Sequence, residues 1–434
     1  MSTSSSSDLT MASTTPSLHE KPGAIQQVQQ APAGPAPRWQ PGMFTGLLGR
    51  IKYFAPAWFA VTMGTGITSI LLHNLPYQFK GLNTIAIIFF VLNVVLFCTF
   101  TAMSIARYIM HPAFFMKMLC HPASSLFLGT FAMGFATVGD GVVLFCVPAL
   151  ESRDAWIRFA WALWWLDALV SVLIAIGVPY VMFVRQTHTP TSMTAVWFLP
   201  VVAPIVAAAH GGIVADVLKP THALVTIAIS YMMLGIGLAP AFLLMALYFQ
   251  RLAFHKLPPT PVIFSTFLPV GPCGQSAYAF LQLSRMLVNI TERDPGLGQT
   301  LFSSTDVRTL VLGVYACSMV VALFMLGLGV FWMTLAIASV VKTYAKTSWI
   351  PFNLGFWALT FPIGTMASAA IMLARELDSH AFRGLAMFLS MWVVVAWLLV
   401  APATLYTAWT GAAFAAPELA PPPAPAPVAG DQKV

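Results

Sequence analysis

Apolar positions along this chain come in long blocks separated by short polar links, with no recurring two-residue alternation. A membrane-crossing helix needs about 20 mostly apolar residues. Blocks of that kind fall at 54–75, 84–106, 124–149, 155–184, 193–216, 221–250, 262–289, 309–341, 351–374 and 382–410. The pattern predicts an all-α membrane protein with ten transmembrane helices, and the missing alternation argues against a β-barrel. Several blocks exceed the minimum length, which predicts tilt or extension beyond the bilayer.

An even number of crossings puts both termini on one side. With the termini inside, Lys and Arg divide 12 inside against 9 outside, so cytoplasmic termini are expected. The inner loops hold no acidic residue. Glu151, Asp154, Asp216, Glu292, Asp294, Asp306, Glu376 and Asp378 all fall in outer loops.

Helix breakers are unevenly shared. The odd-numbered spans carry 20 Gly and Pro in total and the even-numbered spans 10. The alternation predicts five helical hairpins, each pairing an irregular inner helix with a smoother outer one. Irregular backbone is tolerated at membrane depth beside protein or a water-filled path, and Gly also serves simple close packing. The odd spans carry small or weakly polar residues at helical spacing. Thr62, Thr65, Gly66, Ser69 and His73 form such a line in the first span, and Ser125, Gly129, Ala132 and Ala136 in the third. Pro200, Pro204, Ala207 and Gly211 form the fifth span's line, and Ser265, Pro269, Pro272 and Ser276 the seventh's. Trp357, Phe361, Gly364 and Ser368 do so in the ninth. Around one axis these stripes would line a central pore ringed by the odd-numbered helices.

Composition agrees with the class. Of 434 residues, 58% are hydrophobic and 8% charged, against about a quarter charged in soluble proteins. The net charge of +7 is spread over short loops, so no nucleic-acid partner is predicted. Cys98, Cys120, Cys146, Cys273 and Cys317 show no paired spacing and read as buried small hydrophobes. Residues 1–50 and 413–434 are rich in Ser, Gln, Pro and Ala. They are expected to be disordered cytoplasmic tails flanking a transporter domain at 51–412. The first residues lack the apolar run of a signal peptide.

Charge inside a bilayer is costly and is a functional candidate by default. Asp140, between two glycines, either faces a hydrated vestibule or is protonated. Asp167 is expected to bond a neighbouring helix. His210 either titrates and couples transport to protons or stays neutral on a neighbour's backbone. His73 is placed at the membrane edge. Asn289-Ile290-Thr291 matches a glycosylation acceptor on the outer side. No metal-ligand spacing, phosphate loop, dinucleotide fingerprint or nucleophile elbow is found, so neither enzyme nor cofactor is predicted.

The chain carries the segments FAPAWFAVTMGTGITSILLHNLPY, HPASSLFLGTFAMGFATV, WALWWLD, FLPVVAPIVAAAHGGIVADVL, YFQRLAFHKLPP, FLPVGPCGQSAYAFLQL and FNLGFWALTFPIGT. Together they resemble the fungal sulfite efflux pumps of the tellurite-resistance/dicarboxylate transporter family, which also holds plant slow anion channels and fungal malate permeases. The resemblance spans about residues 50–410. It implies five hairpins around a pore, homotrimers, and a ninth-helix phenylalanine that closes the pore, which matches Phe361. Asp140 departs from the uncharged residue expected there.

The resulting expectation is a plasma-membrane exporter of sulfite or bisulfite. A monoanion leaving an inside-negative cell runs downhill by about 2.3 kcal/mol per 100 mV. Weak dipoles suit rapid passage, and freed N–H groups near Gly64, Gly271 and Gly364 are candidates to supply them. The alternative is a proton-coupled C4-dicarboxylate (malate) permease. It would call for a cationic partner, and the odd spans carry none in their middles.

Overall fold

Without water at membrane depth, a backbone must bond internally, and helices do this within one segment. The computed structural model describes residues 46–294 and 307–419, which form helices, turns and no strand. Contacts divide the chain into Met1–Gln40 and Pro41–Val434, and every described residue belongs to the second unit. Most of the expected tails, and Asp306, lie outside the described residues.

The long helices are α1 Phe59–Asn74, α2 Leu82–Met110, α3 Leu128–Gly141, α4 Arg153–Arg185 and α5 Phe198–Ala215. They continue as α6 Pro220–His255, α7 Val270–Arg293, α8 Val307–Thr347, α9 Phe361–Glu376 and α10 His380–Trp409. Among the described residues, eight helical stretches are long and apolar enough to cross a membrane. The expectation of ten is thus met by eight on this measure. α1 has only 16 residues. The second half of α7 carries Gln282, Arg285, Asn289, Glu292 and Arg293.

Every residue of α5 is buried, whereas only a third of the apolar core of α4, α6, α8 and α10 is. The exposed side chains of the even helices are large and apolar, such as Leu173, Leu243, Phe324 and Leu399. That face suits hydrocarbon. Each odd helix packs on the even helix that follows it. The odd helices also touch in the order α1, α3, α5, α7, α9, and α9 returns to α1.

Small residues set the spacing of these contacts. A Cβ on Gly129 of α3 would strike the Leu199 carbonyl of α5, and one on Gly274 of α7 would strike the Thr365–Met366 backbone of α9. Only glycine allows backbones this close. Beyond Gly141, α3 widens into a π-turn at Val142–Cys146, just before Pro148.

Two expectations change. Only Cys273 is buried, while Cys98 and Cys317 are exposed on apolar helix faces. The expected C-terminal tail does not begin at residue 413. Phe414 packs on Trp58 with ring centroids 5.0 Å apart, and Ala416 is fully buried. The reason is an aromatic cluster of Phe54, Trp58, Phe59, Phe97 and Phe100 that the segment completes.

Candidate functional site

Each odd helix is preceded by a tight 3₁₀ turn: Pro56–Trp58, Ser125–Phe127, Ala195–Trp197, Thr260–Phe267 and Leu354–Leu359. Successive turns touch one another, so the five helix N-termini gather at one end of the fold. Proline explains two of these turns locally, because it lacks an N–H and fits the first helical positions. In the last, the Asn353 side chain accepts from the Gly355 N–H at 2.8 Å and donates to the Pro261 carbonyl at 2.8 Å.

Between these turns lies a narrow cavity of ≈ 50 Å³. Its lining repeats one pattern: Ala60 and Met63, Phe127 and Thr130, Val196 and Leu199, Ser265 and Leu268, Ala358 and Phe361. Each pair is three residues apart, one turn along one face. No charged side chain lines it. Its two hydroxyls are turned to carbonyls: Thr130 donates to Phe127 at 2.7 Å and Ser265 to Val262 at 2.7 Å. One water needs about 10–15 Å³ of such space, so the cavity has room for a few waters but not for an anion with its full hydration shell. Phe361, 3% exposed, closes one wall. Beside it, the Trp357 indole donates to Thr404 of α10 at 3.0 Å and packs on Gly64.

Of the residues placed on the pore from their spacing, Ser265, Trp357 and Phe361 line this cavity. The first-span stripe instead faces its neighbours. Thr62 packs on Gly134, Gly66 on Thr137 and Asn93, and Ser69 donates to the Ala86 carbonyl at 2.7 Å. Thr65 accepts from the Trp397 indole at 3.1 Å. On α5, Pro200 meets Gly129, Pro204 meets Gly237, and Gly211 meets Ser230 and Trp164. Ser125 accepts from Gln186 at 3.0 Å, and Gly364 packs on Ile67. At the start of α7, the Pro269 carbonyl accepts from Cys273 at 3.3 Å and the Pro272 carbonyl from Ser276 at 2.6 Å. Ser368 is buried in α9 outside the cavity lining. The physical reason is common to all: small residues are where helices approach, so their stripe marks helix contacts as readily as a bore.

The freed N–H groups are also elsewhere. α1 runs unbroken through Gly64, the Gly271 N–H bonds Leu268 at 3.0 Å, and the Gly364 N–H bonds Thr360 at 2.8 Å. The breaks sit at the helix starts around the cavity.

A second polar group lies where α3, α4 and α5 pack together. His210 Nδ1 lies 2.6 Å from Asp140 Oδ1, with both residues buried. The ring rests on Gly139, where any side chain would collide with it. His210 therefore pairs with a carboxylate and not with backbone. Asp167 does not bond a neighbouring helix as expected: Ser171 of its own helix approaches Oδ1 at 3.4 Å, and Oδ2 is buried without a partner, as is His210 Nε2. His73 bonds Asn83 at 2.8 Å. Asn289 lies near the C-terminal end of α7. Among the described residues no cluster suits a metal ion.

Sequence reasoning missed the apolar lining residues and Arg107, which is fully buried in α2. An arginine near the end of an apolar block was the available signal for Arg107. The lining residues carried none, since Met63 and Leu199 read as ordinary core.

Residues 53–405 match the SLAC1 family, described as a voltage-dependent anion channel. The chain belongs to that family. It is 43% identical over 367 residues to the sulfite efflux pump SSU1 of Arthroderma otae, covering 84% of this chain and 93% of that protein. The same figures hold for the SSU1 of Trichophyton rubrum. A malic acid transport protein of Schizosaccharomyces pombe is more distant, 25% identical over 355 residues, covering 81% of this chain and 77% of that one.

Proposed function

We propose that this chain exports sulfite or bisulfite across the plasma membrane, along a path between the odd-numbered helices that Phe361 closes. Ten crossings in five hairpins, cytoplasmic termini and a homotrimer belong to the same reading. One observation carries it: an uncharged cavity ringed by five helix N-termini. Each N-terminus presents about half a positive charge. Five together attract an anion, and none holds it as tightly as a fixed lysine would. With no carboxylate in the lining, nothing repels the cargo at the narrowest point. The His210–Asp140 pair belongs to this reading as a polar site away from the constriction. The relatives named as sulfite efflux pumps favour sulfite over malate.

Movement of Phe361 away from Leu199 and Met63 would widen the cavity to anion size. The electrical gradient then suffices to drive a monoanion outward. The test is efflux of labelled sulfite and labelled malate from vesicles holding the purified chain, at fixed voltage, with and without a pH gradient. Sulfite flux is expected to exceed malate flux and to persist without the gradient. Faster malate flux that collapses with the gradient would replace this reading with a proton-coupled dicarboxylate permease.

A further inference from the structure

Beside the turn that opens α5 lies a second, larger cavity of ≈ 400 Å³, between the α4–α5 link and the end of α6. Ten residues line it, and Arg251 is their one permanent cation, with no Asp or Glu among them. Arg251 is only 6% exposed. Nη1 donates to the Lys256 carbonyl at 2.5 Å and Nη2 to the Thr191 carbonyl at 3.3 Å, while Nε is buried without a partner. None of the ion pairs among the described residues includes it.

Carbonyls satisfy N–H groups but do not neutralise a charge. A guanidinium taken out of water without a counter-ion is costly. Lys256, whose carbonyl the arginine bonds, has a φ of 63°, in the left-handed region. Strain of that kind persists only where the surroundings enforce it.

The rest of the cavity supplies uncharged polar groups. Gln250 and His255, from the end of α6, line it with His188 of the α4–α5 link, whose Nε2 is held by Gln186 Oε1 at 2.9 Å. The His188 ring is held edge-on to Trp197 at 4.8 Å. Leu247 and Phe254, which also line the cavity, are 50% and 71% exposed on the apolar face of α6. The site thus offers a planar cation and uncharged polar groups at the border of a hydrocarbon-facing surface.

We propose that this cavity binds a phosphate group, with the Arg251 guanidinium as its counter-ion. Arginine's fork matches phosphate oxygens two at a time. The occupant also touches transport geometry: Trp197 lines this cavity, while its chain neighbour Val196 lines the central one. A bound phosphate therefore braces the turn that forms one wall of the narrow cavity. The inference is independent of the cargo.

The test uses the purified full chain and follows thermal unfolding. One arm titrates inorganic phosphate in detergent. The other compares nanodiscs of phosphatidylcholine with nanodiscs that also contain phosphatidic acid. A rise in Tm with inorganic phosphate identifies a free anion, and a rise only with phosphatidic acid identifies a lipid headgroup; either supports the site. Arg251→Gln is expected to abolish the rise, and Arg185→Gln, on the exposed end of α4, to leave it intact. Because a buried arginine variant can misfold, His255→Ala and Gln250→Ala are measured as well. Each removes one hydrogen bond from an exposed position and is expected to weaken binding about two- to tenfold. No rise in either arm, or unchanged affinity in both exposed variants, overturns the proposal.

Discussion

Arg107 Nη2 lies 2.6 Å from Glu418 Oε1, and the two side chains are 1% and 0% exposed. The arginine also donates to the Lys52 carbonyl at 3.0 Å, and Ser124 donates to the other Glu418 oxygen at 2.7 Å. One ion pair thereby joins the end of α2, the segment before α1, the α2–α3 link and the stretch after α10. Losing one partner of such a pair costs about 3–5 kcal/mol. Glu418→Gln is expected to release residues 411–419, since peeling that segment away restores water to Arg107. Limited proteolysis after α10 measures this, and cleavage no faster than in the unaltered chain would contradict the pairing.

Phe361→Ala removes the ring that walls the narrow cavity. Anion leak at rest is expected to rise. Stability falls as well, by about 3 kcal/mol, at the low end for a buried Phe→Ala change because the ring already borders open space. Current recorded across planar bilayers, with unfolding followed in parallel, separates the two effects. Leak equal to or below that of the unaltered chain counts against a gating role.

Glycines at helix contacts and on helix surfaces are expected to respond in opposite ways. Gly129→Ala pushes a methyl into the Leu199 carbonyl and is expected to cost about 1–3 kcal/mol. Gly177 lies within α4 with open space around it, and Gly177→Ala is expected to gain about 0.8–1.0 kcal/mol. Thermal unfolding of both variants checks the sign of each.

The buried His210–Asp140 pair is expected to behave as a unit. His210→Leu alone leaves the Asp140 carboxylate without its imidazole, and Asp140→Leu alone leaves the ring nitrogen bare. Each single change is expected to destabilise by about 1–3 kcal/mol, and the double change by less than the sum. Additive losses in a double-mutant cycle would mean the two side chains do not interact.

His121 introduces a pH dependence outside the membrane. Its Nδ1 accepts from the Ser124 N–H at 3.2 Å and the Ala123 N–H at 3.3 Å. Burial holds its pKa below the usual 6.5, against the weaker upward pull of Glu418. The folded chain binds this proton more weakly than the unfolded chain. Stability is therefore level above pH 6.5 and falls as pH drops from there towards the folded value. His121→Asn keeps an acceptor without the titration. It is expected to flatten that part of a Tm-against-pH curve.

The helices were legible in the sequence because apolar length alone dictates them. Predicted blocks such as 84–106 and 155–184 lie inside α2 and α4. The uneven share of Gly and Pro also separated buried helices from lipid-facing ones. Phase was not legible. An odd helix such as α5 is buried all round, so no polar face tells which side meets a neighbour and which meets the cavity. The small-residue stripe of α1 pointed to the contact with α2 and α3, while Ala60 and Met63 took the cavity wall.

By itself, then, the sequence determined that the chain is helical and membrane-embedded and which helices are buried, while the nomination of Phe361 as a gate came from the family resemblance. Hydropathy and backbone satisfaction in lipid are local requirements, and residues near one another in the chain express them. Only the tertiary structure decided which face of each helix lines the cavity, that Glu418 returns to Arg107, and that His210 meets Asp140. Those outcomes depend on how separate helices rotate and approach, and the energies that set the rotation arise between residues tens to hundreds of positions apart.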